Sequence, residues 1–157
     1  MTTWRKPTVF LDADVIFAGA AAPTEHGVSH VVLRMSEITL IECSTSEQAV
    51  TEVERNLAEK LPAKLPEFHL LVSRCLRVVP DPELEDLARH TGQADPKGLP
   101  ILVAALREGC PYLLTFNVRH YSPPVGSITV QQPGEFVLTI RDLLSRLSAE
   151  EEVHGTE

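Results

Sequence analysis

Short runs rich in apolar and β-branched residues recur along the chain at Thr8–Leu11, 38–43, 75–79, 112–116 and 127–131, and helical patterns fill most of the intervals. This alternation is the strongest constraint on the fold. The first run shows no polar alternation, as a strand covered on both faces requires. Between the runs, residues 28–37 put Val28, Val31, Val32 and Met35 on one helical face, and residues 45–61 set Ala49, Val50, Val53 and Leu57 behind a Ser/Thr cap region. Further helices are expected at 65–75, 82–90, 98–109 and 133–147, the last with Phe136, Val137, Ile140, Leu143, Leu144 and Leu147 as its apolar stripe. Strands alternating with helices predict an α/β chain: a three-layer α/β/α sandwich around a central, mostly parallel sheet of about five strands.

The 157 residues suffice for one domain, expected over 1–148. Residues 149–157 hold four glutamates and almost no apolar surface, so an acidic tail without structure is expected there. A formal net charge of -8 opposes non-specific attachment to nucleic acid, but not a nuclease whose acidic site meets phosphate through metal ions. Cys43, Cys75 and Cys110 are widely spaced, form no CxxC pair and sit in or beside apolar runs, which suits buried thiols in a reducing compartment. With no signal-like segment or membrane-length apolar run, the expectation is a soluble, cytoplasmic protein.

In open parallel sheets, ligands bind outside the carboxyl ends of the strands. That rule selects Asp12 and Asp14 after the first strand and Thr115 and Asn117 after the fourth. Glu52 lies close to the apolar face of its helix, and Asp95 belongs to the loop that opens the apolar helix from Gly98. Asp12, Glu52, Asp95 and Asn117 come from four separate segments that can converge at one sheet edge. Clustered carboxylates repel one another, so they need shared protons or a bound cation. Hard oxygen ligands suit Mg2+ or Mn2+.

At these residues the chain resembles the PIN-domain family, metal-dependent ribonucleases found as toxins in bacterial toxin–antitoxin pairs. VFLDADVIFAG is similar to the family's opening strand and acid, and TSEQAVTEVERNL to its second motif, whose functional Glu matches Glu52. ADPKGLPILVAALREGCPYLLTFNVRHY resembles the acid-bearing helix start, small-residue helix and Thr-x-Asp/Asn strand end, and VQQPGEFV the closing strand and helix of one subgroup. The resemblance implies a divalent-metal-dependent endoribonuclease acting on single-stranded RNA, with an antitoxin protein and a second copy of the chain as partners. It assigns catalytic roles to Asp12, Glu52, Asn117 and Asp95, and leaves Asp12 and Glu52, with Asp14 or Asp95, as the shell of a metal ion. The chain departs from the pattern at two places: the family's third acid falls on Gly98, with Asp95 one helical turn early, and Asn117 takes the fourth acidic place.

Other readings stand beside this one. Asp12 and Asp14 suit the nucleophile and acid of a haloacid-dehalogenase-type phosphatase, but SITVQQPGEF supplies no late acidic pair. Gly98 and Asn117 favour a PIN-like module that binds RNA or protein without cleaving. Asp14 and Asn117 also suit plain capping, Glu52 a solvated pair with Arg55, and Asp95 before Pro96 a turn. Arg119, His120, Arg5 and Lys97 are candidates for phosphate contact that nothing in the sequence singles out.

Overall fold

The computed structural model describes residues 4–21 and 27–155, with side chains described up to 149. Five strands, β1 (Thr8–Leu11), β2 (Glu42–Ser46), β3 (Leu76–Val79), β4 (Tyr112–Leu114) and β5 (Thr129–Gln131), form one sheet in the order β3-β2-β1-β4-β5. Every pairing is parallel. The order reverses at β1, so the crevice between β1 and β4 is the switch point where a ligand site is expected.

Among the described residues, seven α-helices cover the two faces: α1 (Ala13–Ala21), α2 (Gly27–Glu37), α3 (Glu47–Lys60), α4 (Leu65–Cys75), α5 (Leu84–Arg89), α6 (Leu99–Arg107) and α7 (Pro133–Gly155). Helices α1 to α4 pack on one another and α7 joins them through α2, whereas α6 packs with α5 and against β2 and β4. Val9, Phe10 and Leu11 of β1 are fully buried, as are Leu113 and Leu114 of β4. Helix α6 buries Ile101, Leu102, Val103, Ala104 and Ala105, which accounts for its nearly uninterrupted apolar sequence. Phe136 of α7 meets Tyr112 edge-on with ring centres 5.2 Å apart, tying the last helix to β4. All three cysteines are free and buried. Among the described residues, no helix is long and apolar enough to cross a membrane.

Three elements differ from the sequence reading. The second strand is ECSTS, not the apolar run at 38–43. Thr39 takes a positive φ of 66° in a turn, Ile38 is 64% exposed, and Glu42 begins the strand rather than ending it. The polar strand is tolerated because its hydroxyls are used: Thr45 Oγ1 donates to the Leu11 carbonyl at 2.8 Å, and Ser46 Oγ accepts from the Ala49 amide, capping α3. Residues 13–21 form a helix directly after Asp12, buried through Val15, Ile16, Ala18, Gly19 and Ala20. Helix α7 continues to Gly155, through most of the segment expected to lack structure, because Ala149 and Glu150–Glu152 are good helix formers that extend a helix already nucleated by its packed first half.

Candidate active site

The carboxyl ends of β1 and β4 deliver the central groups. The Asp12 amide donates to the Leu114 carbonyl at 3.0 Å, extending the ladder one residue and fixing the start of α1 beside the end of β4. Each carboxylate then finds donors that the strand ends present. Asp12 Oδ1 accepts from the Ala13 amide at 2.7 Å, and its Oδ2 accepts from the Tyr121 hydroxyl at 2.7 Å and from Thr115 Oγ1 at 3.0 Å. Asp14 Oδ2 accepts from the Phe116 amide at 3.0 Å, Asn117 Nδ2 at 3.1 Å and Thr115 Oγ1 at 3.3 Å. Thr115 is fully buried, and its hydroxyl accepts the Asn117 amide while offering its single proton to two acids.

A cavity of about 150 Å³ opens here, lined among others by Asp12, Asp14, Glu52, Lys97, Gly98 and Tyr121. Glu52 reaches it from α3 and is held at 3.1 Å by Lys97 Nζ. That contact raises the pKa of Lys97, its hydrogen bond and charge interaction with Glu52 leading, with Asp12 and Asp14 adding to the field. Burial, and then the neighbouring Asp12 charge, push Asp14 up to about 6; the Phe116 and Val15 amides and the Thr115 hydroxyl pull the other way. Burial, then the charge and hydrogen bond of Asp12, hold Tyr121 well above the usual phenol range, so it is a neutral donor.

The structure brings together Asp12, Asp14, Glu52 and Asn117 around the cavity. It leaves Asp95 outside. The Asp95 backbone starts the turn into α6, accepting from the Gly98 and Leu99 amides, while its side chain is exposed and faces His120 Nδ1 at 3.6 Å. Asn117 is a donor to Asp14, not a substitute acid. Lys97 and Tyr121 are the site residues that sequence reasoning did not place. Lys97 carried a weak signal, a lone cation before the glycine at the expected acid; nothing in the sequence marks Tyr121 as reaching back to Asp12.

Whether a divalent cation suits this set turns on the free acceptors. Asp14 Oδ1 is buried with no hydrogen-bond partner, Asp12 Oδ1 has a lone pair to spare, and both are hard oxygens. Among the described residues, no three His, Cys, Asp or Glu side chains stand close enough together to hold a metal as they are. The donor set therefore fits one hard cation at the Asp12–Asp14 pair, while Glu52 lines the same cavity with its Oε1 paired to Lys97.

The profile described as "PIN domain" matches residues 8–119, well over half of the chain and the whole span from β1 to Asn117. The chain belongs to the PIN-domain family. This membership replaces the dehalogenase-type reading of Asp12 and Asp14. Among solved structures, the domain is similar to the crystal structure of VapBC2 from Rickettsia felis bound to a DNA fragment from their promoter, with 14% identity and a TM-score of 0.59. The match covers 80% of this chain and 98% of that one; at this identity it supports the PIN-like fold alone. A comparison with curated proteins gave no match.

Proposed function

We propose that this PIN domain is a divalent-metal-dependent endoribonuclease acting on single-stranded RNA, of the toxin type that an antitoxin protein restrains. The observation that carries the reading is the placing of Asp12, Asp14 and Glu52 on one cavity at the β1–β4 switch point, with a buried Asp14 oxygen lacking any partner. Asp12, Asp14 and Glu52 are the residues that would hold Mg2+ or Mn2+. The cation, when bound, supplies Lewis acidity toward a phosphodiester and makes water a better nucleophile.

The chain's own groups do the rest. The Ala13 amide and the Thr115 and Tyr121 hydroxyls fix the Asp12 carboxylate, and Asn117 and the Phe116 amide fix Asp14. Lys97 offsets part of the negative potential that would repel an RNA phosphate from an acidic cleft. The VapBC2 neighbour supports the choice of an antitoxin as partner, and a second copy of the chain is part of the same proposal. Proton affinity at Asp14 makes cation binding pH-dependent: below about 6 a cation must displace the proton of this carboxyl, so its affinity falls as the pH is lowered.

A second reading, a PIN domain that binds without cleaving, is favoured by the Lys97–Glu52 ion pair and by the lack of a side chain at Gly98. Incubating the protein and its Asp12→Ala variant with mixed RNA and Mn2+ or Mg2+ separates the two. The nuclease predicts cleavage by the native protein only. Equal cleavage by both, or none by either at high protein, removes the nuclease and leaves the binding module.

A further inference from the structure

Gly98 has φ -85° and ψ -18°, a helical conformation open to any residue, so its backbone gives no reason for a glycine. The reason is space. A Cβ at this position would stand 3.0 Å from both Cζ and the hydroxyl oxygen of Tyr121 and 3.1 Å from Cε1, closer than a rigid ring in a packed site accepts. Tyr121 cannot easily move aside, because its loop is zipped to the segment that precedes α6. The Asp95 amide donates to the His120 carbonyl at 2.8 Å, the Ser122 amide to the Gln93 carbonyl at 2.7 Å, and Ala94 and Tyr121 form a β-bridge. The side chain is buried, and its hydroxyl ends 2.7 Å from Asp12 Oδ2.

Resting on the metal-site reading above, we propose that Tyr121 is the positioning residue of Asp12 and that Gly98 exists to admit its ring. The phenol holds the first acid of the site with a neutral donor across the space that a side chain at 98 would occupy. Without it, Oδ2 keeps only Thr115 Oγ1, whose one proton is shared with Asp14. A carboxylate held only by the Ala13 amide and a shared Thr115 proton is less firmly oriented and a poorer ligand, and loss of such an outer-shell partner typically weakens metal binding about 10- to 100-fold.

The test has a metal-free arm and a metal arm. In EDTA, denaturation midpoints are measured for two double-mutant cycles, Asp12→Ala with Tyr121→Phe and Gly98→Ala with Tyr121→Ala. The first cycle should show coupling through the hydrogen bond. In the second, Gly98→Ala should lower the midpoint in the native background and not once the ring is gone. Additivity in either cycle overturns the proposal. In the metal arm, Mn2+ titration of Tyr121→Phe, whose fold is kept by the isosteric ring, should show affinity reduced about tenfold or more; unchanged or tighter binding overturns the positioning role. If the native protein binds no Mn2+, the metal-site reading fails, and the two EDTA cycles still decide whether Tyr121 holds Asp12 across Gly98.

Discussion

Replacing Asp14 by Asn should stabilise the protein, and by an amount that depends on pH. The pKa of Asp14 rises from 3.8 to about 6 on folding, so the native state holds a proton that the unfolded chain has already released. Below 3.8 both states are protonated and the contribution is complete; it is lost as pH rises toward 6, and above that the native protein carries a half-buried charge. Roughly two pKa units correspond to ~3 kcal/mol, and partial exposure of the group reduces this to about 2 kcal/mol. Asparagine suits the position: its oxygen can take the place of Oδ2 and keep the Phe116 and Asn117 donors, while its NH2 falls on the side where Oδ1 has no partner. Urea denaturation in EDTA at pH 4, 6 and 8 should therefore give equal stability near pH 4 and a variant more stable by about 2 kcal/mol at pH 8, or roughly 4–8 °C in Tm. A gain of equal size at every pH, or a loss at pH 8, would refute the electrostatic argument.

Two further outcomes follow from the same geometry. Ser46→Ala should destabilise by about 1–2 kcal/mol in denaturant titration, since it removes the α3 cap and leaves the Ala49 amide buried without an acceptor. Asp95→Ala should leave RNA cleavage at the native rate, because the exposed carboxylate faces His120 outside the cavity; a loss comparable to that of Asp12→Ala would return Asp95 to the site.

Among the described residues, the layered architecture was legible because β1, β4 and helices α2, α3, α4, α6 and α7 carry their buried positions in their own apolar residues, while β3, α5 and β5 are marked by short runs of strand- or helix-forming residues between turns. β2 was not legible, since ECSTS has almost no apolar content and owes its burial to the Thr45 hydroxyl, which finds an acceptor on β1, and the Ser46 hydroxyl, which accepts an amide at the start of α3. The apolar ITLI beside it attracts a strand assignment, yet it turns at Thr39. α1 was not legible because ADVIFAGAA is apolar at nearly every position after Asp14, so no polar face marks a helical period. Strand ends and helix faces singled out Asp12 and Glu52, and the structure brings both to one cavity. Asp95 lies in the turn into α6, one helical turn before Gly98, and its exposed side chain is directed at His120 rather than into the cavity. Tyr121 depends on two loops closing against each other, a contact between distant segments that no local pattern records.

Thr115 has a consequence beyond holding two carboxylates. Its hydroxyl carries one proton for two competing acceptors, at 3.0 Å and 3.3 Å, while the Asn117 amide occupies its own oxygen. The O–H bond is thus a two-position rotor: each turn toward one acid withdraws a donor from the other. A proton taken up at Asp14 makes that acid a weaker acceptor and favours the turn toward Asp12, so protonation on one side of the pair strengthens the hydrogen bond on the other. The two acids are linked through a single torsion at the end of β4.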